Sequence, residues 1–411
     1  MRVERCQLQD QRNKAGILFI TSSLDVGGTE RHLASISGVL RARGWAITVY
    51  CTGREGSFAE VLRRNGISVM VPPRPTRSRF GALFDGRALR LPLAAFHLLR
   101  VLLKGRFAIV HFFLPEAYIV GAQVALLTRR RLLIMSRRSL NNYQEKLPFG
   151  GLVERHLHSL MTAVLANSRS VAKQLEGEGV AAHRIGLIYN GVGEITGRAG
   201  ASRAQVRAML GLDDTSLVLI IIANLIPYKG HLDVIEALGR IAGRMPPDWQ
   251  LLAVGRDEGV GAAIRSRADA LGIAGHVSLL GIRSDIPDLL RASDIALLAS
   301  HQEGFSNAII EGMQAGLPMI VTDVGGNAEA VIDGETGLVV APRNPDALGD
   351  AILHLAGDGE LRRRFGDAGR RRVKEHLSLE ACVAAYEALY CGLLAGKTPG
   401  EIPQVRYKIA I

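Results

Sequence analysis

The chain has 411 residues, 48% of them hydrophobic, 22% charged and only 5% aromatic. That length exceeds one compact core and favours two or three domains. The composition excludes collagen-like, coiled and low-complexity chains, and so few aromatics argue against an aromatic platform for single-stranded nucleic acid.

The formal net charge of +11 is unevenly spread. Residues 1–200 hold 29 Lys and Arg against 13 Asp and Glu, and residues 201–411 hold 21 against 26. A basic first half favours an anionic partner: nucleic acid, a phospholipid surface or an anionic small substrate. A plain solvated basic face is the bland alternative. Four cysteines (Cys6, Cys51, Cys382 and Cys391) form no C-x-x-C pair, so a reducing compartment is expected and no metal-ligand spacing is seen. The start, MRVERCQLQDQRNKAG, lacks the pattern of a secretory leader. The longest apolar run, Leu217 to Leu225, is too short to span a bilayer. The expectation is a cytoplasmic protein, soluble or peripheral on the inner membrane face.

In chain order, GILFIT (16–21) reads as a strand, followed by a Gly turn and a helix from about Glu30 to Arg43. A strand at 46–51, a helix at about 57–65, and strands at 67–71, 108–111, 132–136 and 163–166 come next. Residues 194–204 (EITGRAGASRA) read as a linker. The rhythm then restarts: strand LVLIIIAN, helix near 231–243, strand QLLAVG, helix near 259–271, strand VSLLG, short helix near 286–292, strand DIALLAS, helix near 307–315, and strands PMIVTD and GLVVA. Helical spacing resumes at 345–356, 358–376 and 379–395. The last presents Leu379, Cys382, Val383, Tyr386, Leu389 and Tyr390 on one face. Strand–helix alternation predicts parallel sheets covered on both faces. Hence the expected fold is α/β, with two doubly wound Rossmann-like domains facing across a cleft and a C-terminal helix crossing back to the first. The expected domains are 1–195, 196–376 and the terminal segment 377–411.

Three stretches carry chemistry. SLDVGGTERHL (23–33) follows the first strand; Gly27 and Gly28 there permit close backbone approach to an anion at a helix start, or simply make a turn. ANLIPYKGHLDVIEAL (223–238) places Lys229 at a strand's carboxyl end, suited to a pyrophosphate or to a solvated loop; His231 reads as a surface residue at the helix start. SHQEGFSNAIIEGMQAG (300–316) holds Glu303 on a loop and Glu311 in a helix, with Ser306 as candidate N-cap and the backbone N–H groups of Phe305, Ser306 and Asn307 as candidate phosphate donors. Glu311 alone reads equally well as half of a surface salt bridge. The two acids with the Gly/Ser/Asn loop between them suit the vicinal hydroxyls of a ribose and a sugar ring.

E-G-F-S-N-A-I-I-E, Glu303 to Glu311, resembles the E-x7-E motif of retaining glycosyltransferases of the GT-B fold, family 4. The likeness extends over GGTERHL, ANSRSVAKQL, IGLIYNGV, IPYKGH, LLAVG, LLGIRSDIPDLLRASDIALLAS and GLPMIVTDVGGNAEAVIDGETGLVV. It implies transfer of a sugar from a UDP- or GDP-sugar to a glycan, lipid-linked or polysaccharide acceptor. Lys229 would then lie on the diphosphate, Glu311 on the ribose and Glu303 on the transferred sugar. Gly27, Gly28, Gly255, Gly304, Phe305, Ser306 and Asn307 would complete the donor site, with Arg283 beside the base. His111 would stand near the acceptor as a catalytic residue. The resemblance implies no cofactor and no metal, and no D-x-D pair is present. Asn224 and Ile226 stand where the family commonly has an arginine, and Phe113 stands where many members have a histidine. Rival readings are an epimerase-like enzyme of the same fold, or a non-catalytic module binding nucleotide sugars or glycans. Residues 72–107 and TRRRLL (128–133) mix basic and apolar residues as an anionic membrane surface would require, or as an ordinary basic helix face. No nucleic-acid motif is present, so nucleic acid is not expected as a partner.

Overall fold

The structure is a computed structural model, which describes residues 16–407 apart from 26, 54, 74–86, 129–131, 141–147 and 194–201. The chain start, most of the expected linker, residues 74–86 of the basic segment and the three arginines of TRRRLL therefore lie outside the described residues. The chain divides into two compact units: one runs to Gly191 and resumes at Leu379, and the other spans Val192–Ser378.

The first unit holds a seven-stranded sheet in the order β3-β2-β1-β4-β5-β6-β7. Its strands are β1 Gly16–Thr21, β2 Ala46–Cys51, β3 Ser68–Met70, β4 Phe107–Phe113, β5 Leu132–Arg137, β6 Ala163–Ala166 and β7 Ile185–Leu187. Every neighbouring pair is parallel. Continuous apolar runs explain this, since helices cover both faces. Helix Leu379–Leu394 belongs to this unit. It buries Cys382, Val383, Tyr386, Leu389, Tyr390 and Leu393 among Leu33, Ile36, Leu40 and Trp45. Glu387 fastens it, accepting from Trp45 Nε1 at 3.1 Å and pairing with Arg43 at 2.5 Å.

The second unit has a six-stranded parallel sheet ordered β10-β9-β8-β11-β12-β13. These are β8 Leu217–Ile222, β9 Trp249–Val254, β10 Val277–Gly281, β11 Ile295–Leu298, β12 Met319–Thr322 and β13 Gly337–Val340. Val192 and Ser378 pair as an isolated parallel bridge, so the chain enters and leaves this unit side by side. The last residues of the expected linker are ordered differently from expectation. Ser202 caps a helix at Arg203–Met209 in a reciprocal capping box with Gln205, a signal written in the sequence as S-R-A-Q.

In both sheets the strand order reverses once, between β1 and β4 and between β8 and β11. The crevice outside the carboxyl ends of strands at such a reversal is where open α/β sheets bind ligands. Among the described residues no helix is long and apolar enough to cross a membrane.

Candidate functional site

In the second unit, the loops after β8 and β11 emerge side by side at the reversal point. After β8 the chain makes a 3-10 turn, Pro227–Lys229, and then Gly230 at φ 70°. A Cβ at Gly230 would lie 1.9 Å from the Ala299 carbonyl oxygen, so only glycine lets the two loops approach this closely. The loops are then stitched together. The His301 N–H donates to the Tyr228 carbonyl at 2.7 Å, and the His301 ring meets Asp233 at 2.7 Å.

That arrangement brings Lys229 and Glu303 together. Lys229 Nζ lies 2.5 Å from Glu303 Oε1, with side chains 18% and 10% exposed. Ser300, wholly buried, donates through Oγ to the same carboxylate oxygen at 2.8 Å. A pair of glycines supports the loop from behind. Gly325, at φ 55°, sits where a Cβ would lie 1.9 Å from the Glu303 carbonyl oxygen, and the Gly326 N–H donates to Gly304 at 2.9 Å. Two donors converge on Oε1, and the carboxylate is fixed at the strand tip rather than free in solvent.

The helix Asn307–Gln314 starts directly after this loop. Ser306 occupies the N-cap position, but its side chain makes no capping bond, contrary to the expectation. Phe305 is buried and anchors the loop. Glu311 lies in the second turn, half-buried, beside a Gly312 packed against Met319. Gly255 follows β9 and donates to the Gly281 carbonyl at 2.9 Å; a Cβ on it would lie 2.1 Å from the Ala223 carbonyl oxygen. Arg283, just after β10, is gripped by Asp285 through two bonds of 2.8 and 2.5 Å. Asn224, standing where an arginine was expected, joins two turns instead: it accepts from the Arg256 N–H and donates to Glu258 at 3.0 Å. His231 is 3% exposed rather than at the surface, and burial, with Lys229 nearby, pushes its imidazole down to about 4.

In the first unit one expectation is corrected. His111 is fully buried: Nδ1 bonds the Tyr390 hydroxyl at 2.9 Å, Nε2 bonds Ser136 at 2.7 Å, and the ring stacks on Phe113 at 4.4 Å. Both nitrogens are engaged, and burial holds the imidazole well below its ordinary range, so His111 is a core residue rather than a catalytic group. At Gly27 a Cβ would collide with the Glu30 carboxylate at 2.3 Å. A side-chain acid therefore already lies over this helix start, where an anion was expected. At Gly28 a Cβ would meet nothing within 4 Å. Sequence reasoning also missed Arg138, the second arginine of SRRSL. It follows β5 and donates to Asn190 Oδ1 at 2.7 Å.

Comparison with known proteins places these units. Residues 26–193 match the model of Glycosyltransferase Family 4, and residues 202–372 match that of Glycosyl transferases group 1. The chain is 32% identical over 198 residues to the N-acetyl-alpha-D-glucosaminyl L-malate synthase of Bacillus anthracis, a match spanning 48% of this chain and 51% of that protein. It is 26% identical over 398 residues to the D-inositol 3-phosphate glycosyltransferase of Corynebacterium glutamicum (strain R), covering 91% of this chain and 93% of that one. Among solved structures, Anabaena Alr3699/HepE in complex with UDP and glucose superposes with a TM-score of 0.79 at 23% identity, over 93% of this chain and all of that one. At that identity the likeness establishes the fold. With both halves matched in order, the chain belongs to the group 1 and family 4 glycosyltransferases and has the GT-B fold.

Proposed function

We propose that the protein is a retaining glycosyltransferase that moves a sugar from a nucleoside-diphosphate sugar to a hydroxyl of a glycan, lipid-linked or polysaccharide acceptor. The observation that carries this reading is the Lys229–Glu303–Ser300 constellation at the β8/β11 reversal. It pairs a cation suited to a diphosphate with a carboxylate suited to sugar hydroxyls. The fold relative Alr3699/HepE is described in complex with UDP, which favours a uridine donor over a guanosine one.

In this reading Lys229 lies against the diphosphate and Glu311 holds the ribose. Ser300 and Lys229 occupy Glu303 Oε1, leaving Oε2 to accept from a hydroxyl of the transferred sugar. The bond between the anomeric carbon and the diphosphate oxygen breaks, with its electron pair going to the diphosphate. The acceptor oxygen attacks the same face, and its proton passes to the departing phosphate. Negative charge grows on the leaving group, so Lys229 and the amides at the start of helix Asn307–Gln314 stabilise the transition state more than the bound donor. No step requires a metal. The excess of Lys and Arg in residues 1–200 suits an enzyme working against an anionic cytoplasmic membrane face.

A thermal-shift screen of UDP- and GDP-sugars tests donor binding, because a ligand that favours the native state by about 2.7 kcal/mol at 100 Kd raises the melting point. Release of nucleoside diphosphate with an acceptor mixture then tests transfer. Glu303→Gln should abolish release and leave nucleotide binding in place. A protein that binds nucleotide sugars and never turns them over would instead be a binding module. Interconversion of the sugar without an acceptor would mark an epimerase.

A further inference from the structure

The first unit carries a cation that the donor chemistry does not use. Arg138 directly follows β5 and donates to the neutral Asn190 amide oxygen at 2.7 Å, with the Tyr386 hydroxyl of the C-terminal helix close to it. Among the described residues no carboxylate lies within 4.0 Å of its guanidinium nitrogens. The acid whose charge reaches it is Glu30, in the first turn of the helix after β1. Burial lowers the guanidinium's affinity for its proton and raises that of the Glu30 carboxyl, as expected of charges that do not fully compensate each other.

Two buried polar atoms beside this cation lack partners among the described residues. Asn167, just after β6, donates Nδ2 to the Arg138 carbonyl at 3.2 Å, yet its Oδ1 is unpaired. His32 bonds the Tyr386 hydroxyl through Nε2 at 3.1 Å, and its Nδ1 is unpaired. Both residues are 2% exposed. Unpaired buried polar atoms are unfavourable, and so is a partly buried cation held only by neutral groups. The cluster comes from the carboxyl ends of β5, β6 and β7 and from the helix after β1. That is the first sheet's own ligand-binding edge.

We propose that Arg138, with Asn167, His32 and Glu30, forms an acceptor subsite for a hydroxyl-bearing molecule that carries a phosphate or carboxylate. The planar guanidinium takes the anion through two parallel bonds, and Asn190 and Tyr386 orient it. Asn167 Oδ1 and the Glu30 carboxylate accept from the hydroxyls. Calling the occupant an acceptor rests on the proposed function; the anion site does not.

The test titrates inorganic phosphate and malonate calorimetrically into the full chain carrying Lys229→Gln, which removes the donor-side cation. The same titration follows in a chain that also carries Arg138→Gln. Binding of at least one anion should weaken about tenfold or more in the double variant, the loss expected for a charge-assisted pair of bonds. If the double variant does not fold, Arg138→Lys takes its place; it keeps the charge, loses the fork, and should weaken binding several-fold. Phosphate and malonate affinities unaffected by either change, or no anion binding at all, overturn the site. The two anions rank phosphate against carboxylate. Arg138-dependent anion binding in a protein that consumes no nucleotide sugar would retain the site and reject only its assignment to an acceptor.

Discussion

Substitutions at Lys229 and Glu303 should move nucleotide affinity in opposite directions. The Lys229 ammonium pairs with Glu303 Oε1 at 2.5 Å, in a setting 18% and 10% exposed. A hydrogen bond to a charged group contributes about 1.5–3 kcal/mol, against 0.2–1 kcal/mol for an exposed pair. This pair is mostly buried, so about 1–2 kcal/mol is a fair value for what a diphosphate must displace. Lys229→Met removes the cation and should weaken UDP binding by about 10–100-fold. Glu303→Gln keeps the shape, removes the internal competitor and should tighten UDP binding by about 5–30-fold, since 1.4 kcal/mol is a factor of ten, while sugar transfer collapses. Titration calorimetry with UDP reads both affinities, and nucleotide release reads turnover. A Glu303→Gln protein that binds UDP as poorly as Lys229→Met would refute the reasoning, because Glu303 would then support the nucleotide rather than compete for Lys229.

Three further outcomes follow from the structure. Gly230→Ala forces a side chain into a left-handed backbone, about 1–2 kcal/mol, and against the Ala299 carbonyl at 1.9 Å; urea unfolding should show a loss above about 2 kcal/mol, and UDP binding should weaken as Lys229 shifts. Arg137 sits with Glu154 at 2.7 Å and Glu178 at 2.5 Å, all at most 4% exposed, beside His158; Arg137→Met removes the cation between two buried carboxylates and should cost about 3–5 kcal/mol, whereas a loss under 1 kcal/mol in urea would mean that the charges find water. His32, His111 and His231 are all held below their ordinary range by burial. The unfolded chain therefore gains protons near pH 6.5 that the folded chain refuses, and stability falls as pH drops through that value. For His231 the loss continues to about pH 4 and sums to about 3 kcal/mol; melting temperatures equal at pH 7 and pH 5 would contradict it.

Much of the fold was legible because its signals are local. The run LVLIII is apolar at every position, so it reads as a strand buried on both faces and forms β8. Gly316, at φ 82°, ends the helix that carries Glu311, as its place in the sequence suggested. Ser306 shows the limit of such signals: it holds the N-cap position without making the bond, because cap geometry depends on how the Phe305 anchor and the Gly325–Gly326 support orient the loop. His111 misled for a related reason. A histidine at a strand tip looks like a catalytic group until its partners are known, and one of them, Tyr390, lies 279 residues away.

The sequence by itself determined the alternation of strand and helix, the restart near residue 200, the amphipathic face of helix Leu379–Leu394 and the two acids flanking a Gly/Ser/Asn loop, since each depends on neighbours within a few turns of chain. Only the tertiary structure decided that Lys229, 74 positions from Glu303, and Ser300 both donate to one oxygen of the Glu303 carboxylate. It alone showed that Arg138 meets Asn190, and that Tyr386 and Tyr390 return from the chain's end to hold His32 and His111. Those contacts are set by crossover connections, which place the carboxyl ends of β8 and β11, or of β5, β6 and β7, side by side whatever lies between them in sequence.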